Sequence, residues 1–184
     1  CFGDTEAFLD NFFGTAFSPD RCRCIMDGNQ VASVLYWFPT ICSGVPLAYL
    51  YAIATKEVFR GKGYCRELVA KTHRHLLEKG YAGCVLVPAK ESLVKMYESF
   101  GYRQMMPFDR GEISPRGEIG VEKISAQTYQ QLRQGFLPKN SVAQDQTAFD
   151  FLETYVGFYQ TSGCLFCAAF EDGVLQIQEV LGDS

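Results

Sequence analysis

The residues best suited to chemistry sit in one short turn, Arg60-Gly61-Lys62-Gly63-Tyr64-Cys65, between an apolar run and an amphipathic pattern. If the turn opens a helix, successive backbone N–H groups converge on one point and the helix start adds partial positive charge. The glycines permit close backbone approach, and Arg60 and Lys62 add formal charge. Those properties describe a pyrophosphate cradle. Two other phosphate loops are excluded by spacing. Lys62 is followed by Gly63 where a P-loop needs Ser or Thr, and Arg66 stands where a dinucleotide fingerprint needs its third glycine. The plain alternative is a solvated basic turn that merely joins strand to helix.

The other reactive side chains form no such constellation. Most of the eight cysteines lie inside apolar runs such as Cys84-Val85-Leu86-Val87, where a thiol acts as a small hydrophobe. Cys164 and Cys167 have CxxC spacing, but three residues along a strand puts them on opposite faces. Cys22 and Cys24 share a face, yet no second Cys or His pair completes a zinc set. His73 and His75, two apart on a helical pattern, do not face each other. No metal site is expected.

The elements around the turn read as a mixed α/β layer. Residues 5–17 have helical apolar spacing, stopped at Ser18-Pro19. Strands follow over 22–26 and 30–38, joined by a tight turn at Asp27-Gly28-Asn29. A loop is expected over 39–46, then a central strand over 47–55. Beyond the basic turn, Leu68, Val69, Thr72 and Leu76 mark a helix that ends at Gly80. A buried strand is expected over 82–87, a short helix over 91–100 with Tyr97 on its inner face, and strands over 102–106 and 118–124. After Ser125 the style changes. Helical patterns over 128–136 and 147–158 lead into a hairpin, 164–170 with 174–181. That helix-then-hairpin order repeats residues 5–38, although no basic glycine turn comes after the second hairpin.

The chain has 184 residues, 47% hydrophobic and 21% charged, enough to bury a core. Its formal charge of −4 argues against nucleic acid, which needs a basic face. No apolar run is long enough to span a bilayer and no leader-like segment opens the chain, so no membrane partner and a cytoplasmic location are expected. A start at Cys1 and a strand-like run at the end predict a piece of a longer chain.

Ile53 to Cys65 resembles the coenzyme A signature of the GCN5-related N-acetyltransferase (GNAT) superfamily, whose loop runs Arg or Gln, two residues, Gly, one residue, then Gly or Ala. Cys65 departs at the last position but is small. Tyr97-Glu98-Ser99-Phe100-Gly101-Tyr102 is similar to the family's tyrosine-containing helix end. The two blocks flank a helix and a strand, as a crossover unit requires. Lys90 stands where many members carry Asn, so no cofactor contact is carried to it. The resemblance covers about residues 5–125. The signature and the extra C-terminal unit look most like the tandem-lobed enhanced-intracellular-survival group.

The resemblance implies an acyl-CoA N-acyltransferase fold over 1–125, lacking its first strand and helix, with a partial, non-catalytic second lobe over 126–184. It implies acetyl-CoA as co-substrate, held by Ile53, Ala54 and Thr55 on the strand and by Arg60, Gly61, Lys62, Gly63, Tyr64 and Cys65 in the turn. It also implies Tyr97 as general acid for the leaving thiolate, where periodicity alone gives a core aromatic. The acceptor would be a primary amine of a small molecule or peptide, taken in a ternary complex, and a homo-oligomer is compatible. A non-catalytic acyl-CoA sensor of the same fold is the rival. Residues 47–55 hold no carboxylate, whereas histone-type members place a Glu there. A general base is therefore not assigned, and water relay is one route. Tyr49 and Tyr51 share a strand face and suit either an acceptor pocket or packing.

Overall fold

A computed structural model describes residues 3–105, 120–171 and 173–182. Strands β1 (Cys22–Asp27), β2 (Gln30–Cys42), β3 (Val45–Thr55) and β4 (Gly83–Val85) line up in that order in a first sheet. The first three form an antiparallel meander, and β4 runs parallel to β3 after the crossover helix α2 (Tyr64–Glu78). A second sheet, wholly antiparallel, is ordered β5 (Glu122–Ile124), β7 (Gly157–Gln160), β8 (Cys164–Glu171), β9 (Val174–Gly182). Between them β6 (Val142–Gln144) pairs with β2 at Thr40–Cys42, so chain from the second half completes the first sheet.

Three helices are stopped at their N-termini by a side-chain oxygen, as cap chemistry requires. Thr5 caps α1 (Glu6–Thr15), Ser125 caps α4 (Ala126–Phe136) and Asp145 caps α5 (Gln146–Glu153). Helix α2 has no such cap, which leaves its first amides without a side-chain acceptor.

The first sheet is covered on both faces, and the alternation along β2 shows how. Leu35 and Trp37 point to α2 and meet Leu68, Val69 and Leu76. Tyr36 and Phe38 point the other way, into a cluster with Phe12, Ala16, Ala148 and Phe151. Helix α5 serves both sheets. Its Phe151 packs on Phe8, Phe12 and Phe38, while Phe149 enters the second core beside Tyr129 and Phe158. Arg133 of α4 grips Glu179 of β9 through two bonds of 2.7 Å, and Tyr129 donates to the same carboxylate at 2.9 Å.

Several elements depart from the sequence expectations. The loop expected over 39–46 is strand apart from a two-residue turn, Ser43-Gly44, with φ of 50° and 79°. Pro39 does not break β2 because it falls between the last partner from β1, at Tyr36, and the first from β6, at Thr40. The strand expected over 82–87 pairs only at 83–85. The helix expected over 147–158 stops at Glu153, and Gly157 begins β7. Of the strand expected over 102–106, residues 102–105 are irregular and Met106 lies outside the described residues. Of that expected over 118–124, only Glu122–Ile124 is strand, and Glu118 and Ile119 are not among the described residues. No helix among the described residues is long and apolar enough to cross a membrane.

Candidate active site

The site begins with a break in pairing. Strand β4 is bonded to β3 only at Leu47, Ala48 and Tyr49, so from Leu50 to Thr55 the β4 side of β3 is open among the described residues. On its other side β3 carries a bulge. Val34 pairs with Ala54 and Tyr36 with Tyr51, so Ala52 and Ile53 together oppose Leu35. Ala52 takes φ of 51°, a left-handed conformation that costs an L-residue roughly 1–2 kcal/mol. Ser33 holds the far end in place. Its hydroxyl donates to the Ala54 carbonyl at 3.0 Å and lies 2.9 Å from Thr55 Oγ1.

From Thr55 the chain passes through a 3-10 turn, Glu57–Phe59, into the glycine turn. Gly61 and Gly63 have φ of 76° and 85°, values that explain why glycine occupies both places. Gly63 is the N-cap of α2 and has no side chain to cap with, so the first N–H groups of this helix stay available to an external acceptor. The turn is braced from two sides. Arg60 Nε donates back to the Thr55 carbonyl at 3.3 Å, and Tyr64 donates its hydroxyl to Asp27 Oδ2 at 2.8 Å. That bond to Asp27 is the main reason the Tyr64 phenol lies above its ordinary range.

Helix α3 (Val94–Glu98), after a 3-10 turn at Glu91–Leu93, closes the opposite wall. Together these elements enclose a cleft of about 600 Å³, lined on the strand side by Ile53, Ala54 and Thr55 and on the helix side by Met96, Tyr97 and Phe100. Arg60, Gly61, Gly63, Tyr64 and Cys65 line its floor, so all but one of the residues singled out from the sequence meet here. The exception is Lys62, which lies outside the lining with its ammonium 5.1 Å from the centre of the Phe59 ring. The sequence reading missed Phe59, Arg66, Leu93, Met96 and Phe100, which also line the cleft. Nothing in the apolar spacing of Leu93 and Phe100 separates a cleft wall from a core face.

Tyr97 is buried, with its ring edge-on to Phe100 and Tyr102. Burial, then the nearby Cys65 thiol, raises its phenol above the ordinary value, so it is protonated at neutral pH. Burial likewise raises the Cys65 thiol, which makes it a poor nucleophile. Among the described residues, none that lines the cleft carries a carboxylate or imidazole. Tyr49 and Tyr51 do share a face of β3, but that face meets Phe12, Phe38 and Phe151. Burial pushes the Tyr51 phenol up to about 12.

Cys164 lies against Thr161 while Cys167 is buried in the second core, and no group of three or more His, Cys, Asp or Glu among the described residues could hold a metal. The residues present fit a coenzyme A pyrophosphate: an uncapped helix start, two left-handed glycines and Arg60 border one cleft.

A bulged strand leading through a glycine turn to an uncapped helix, opposite a tyrosine helix, is the arrangement of the GNAT fold. The acetyltransferase (GNAT) domain matches residues 1–105, and the chain belongs to that family. All of this chain (100%) superposes on 53% of a GCN5-related N-acetyltransferase from Anabaena variabilis ATCC 29413, with a TM-score of 0.69 and 20% identity. A GCN5-related N-acetyltransferase from Kribbella flavida matches 98% of this chain over 56% of its own, with a TM-score of 0.60 and 15% identity. At these identities the likeness is one of fold. The chain thus spans about half the length of these two structures. No curated protein matches the sequence.

Proposed function

We propose that this chain transfers the acetyl group of acetyl-CoA to a primary amine of a small molecule or peptide, directly, in a ternary complex. One observation carries the reading: the open edge of β3, the uncapped start of α2 and the protonated Tyr97 border a single cleft. Acetyl-CoA supplies the thioester. The amides at the start of α2, with Arg60, would hold the pyrophosphate, and Lys62 would add long-range attraction. Backbone groups of Ile53, Ala54 and Thr55 would pair with the pantetheine arm and polarise the carbonyl. Tyr97 would donate its proton to the departing sulfur. With no carboxylate or imidazole among the described lining residues, the proton of the amine would leave through water.

That same lack favours a second reading, a non-catalytic acyl-CoA-binding module. Release of free coenzyme A from acetyl-CoA, measured against a panel of amines, polyamines, aminoglycosides and peptides, separates the two. Turnover with any amine above the hydrolytic background supports the enzyme. Binding without turnover across the panel leaves the sensor.

We assign residues 126–184 to a partial second, non-catalytic lobe, a reading supported by the separate sheet that β7, β8 and β9 form with β5, while β6 alone joins the first sheet. We propose the tandem-lobed enhanced-intracellular-survival group as the pattern for such an arrangement. Seven free thiols among the described residues suit the reducing cytoplasm, where we place the chain. Its net charge gives no support to a nucleic-acid partner.

A further inference from the structure

Helix α3 carries Tyr97 and has five residues, without a side-chain cap at its start. So short a helix does not hold its own geometry in water, and something else must fix it. The fastening comes from Arg66, the third residue of α2. Its Nη1 donates to the Ser99 carbonyl at 2.9 Å and its Nη2 to Ser99 Oγ at 2.8 Å. The guanidinium also lies over the Phe100 ring, 4.6 Å from its centre. Ser99 Oγ in turn donates to the Met96 carbonyl at 2.7 Å, so the hydroxyl is used twice. The segment just beyond is folded back on Tyr97 itself, whose carbonyl accepts from Phe100 N at 2.9 Å and Tyr102 N at 3.1 Å.

Arg66 therefore has its backbone at the helix start that faces the cleft and its side chain on the end of the tyrosine helix. We propose that Arg66 is a positioning residue that fixes the Tyr97 hydroxyl relative to the pyrophosphate cradle. This rests on the acetyl transfer proposed for the cleft. A planar fork that bonds two acceptors and stacks on a ring is specific to arginine, since lysine offers a point charge on a flexible stem. If Arg66 acted instead as a charge beside the phosphates, lysine would replace it well.

The test uses the whole chain carrying Arg66→Ala, Arg66→Lys, Tyr97→Phe and the double variant Arg66→Ala/Tyr97→Phe, with Ser99→Ala as a milder break in the same contact. Because a shift of about 1 Å costs up to about 100-fold, Arg66→Ala should lower kcat by roughly 10- to 100-fold. The Kd for coenzyme A should change by less than about threefold, a bound we set well below that kcat loss. Arg66→Lys should not restore kcat, and the double variant should be no slower than Tyr97→Phe alone, because one group acts through the other. A loss seen in Kd, rescued by lysine, or multiplying with Tyr97→Phe would overturn the proposal. Amide exchange provides a readout that needs no turnover. In Arg66→Ala or Ser99→Ala the Phe100 and Tyr102 amides should exchange faster while the interior amides of α2 keep their rates. Unchanged exchange at both positions refutes the clasp even if no acceptor amine is ever found, and a parent without turnover refutes only the reaction.

Discussion

Each sheet is built on a helix and a three-stranded antiparallel meander, α1-β1-β2-β3 in the first and α5-β7-β8-β9 in the second. Both third strands carry a bulge: Ala52 and Ile53 oppose Leu35 on β3, and on β9 Gln178 is the extra residue between the pairs Cys167–Glu179 and Ala168–Ile177. The first region continues past its third strand. After β3 come two left-handed glycines, an uncapped helix and a parallel strand that pairs for three residues and then diverges. The meander and its bulge are thus scaffold common to both regions. The proposed ligand site lies at the glycine turn, the crossover and the gap they open.

Matched substitutions in the two regions can break that account. The largest effect is expected at the cradle. At a ligand concentration 100-fold above Kd, binding stabilises a protein by about 2.7 kcal/mol, and Gly63→Glu should abolish the resulting thermal shift. Gly173→Glu adds the same side chain at a similar φ of 80° in the β8–β9 turn and should leave the shift intact. An unchanged shift in Gly63→Glu places the ligand elsewhere.

Tyr97→Phe comes next. It keeps the ring and removes the acid, so kcat should fall by about 10²- to 10⁴-fold with affinity for coenzyme A retained. The sign with pH comes from the raised phenol: the acid is protonated, and turnover is maintained, until pH climbs through a value above the ordinary 10. The alkaline limb of kcat should be present in the parent and absent in the variant. Parent-like turnover would reduce Tyr97 to a core residue.

The third expectation concerns the junction of the two regions. Phe151→Ala should cost about 3–5 kcal/mol of unfolding free energy, since this buried ring of α5 packs on Phe8, Phe12 and Phe38. Phe170, 74% exposed on β8, should cost no more than about 0.5 kcal/mol when replaced by Ala. Equal losses in a denaturant series would mean that α5 does not carry the junction.

The smallest effect separates the two bulges. Ala52→Gly relieves a left-handed residue and should raise stability by up to about 1 kcal/mol. Gln178 has no positive φ, so Gln178→Gly should lower it by a similar amount. A loss at both positions would remove strain at Ala52 from the account.

How much of this was legible in the sequence depends on range. The glycine turn and α2 were legible because both glycines, the cations and the apolar spacing of Leu68, Val69, Thr72 and Leu76 are local signals. The β2–β3 hairpin was misread because Pro39 and Pro46 resemble breakers until β6, about 100 residues away along the chain, is seen to pair beside them. Strand β7 was hidden because Phe149, Phe151, Leu152, Tyr155 and Phe158 keep apolar spacing through the end of α5, and only Gly157 interrupts it. That miss also displaced the internal repeat. With β7 in place, β8–β9 corresponds to β2–β3 and not to β1–β2, so β9 is the counterpart of the bulged β3. The bulge itself was not legible, because nothing in Tyr51-Ala52-Ile53 marks a left-handed alanine.

The most direct test of the central claim is amide exchange of the whole chain with and without saturating acetyl-CoA, resolved by residue. The account predicts slowed exchange at Ile53 to Thr55 and at Gly61 to Arg66, with one ligand bound per chain and no change across Gly157 to Gly182. Protection on β8–β9, a second equivalent of ligand, or no protection at the glycine turn would contradict it.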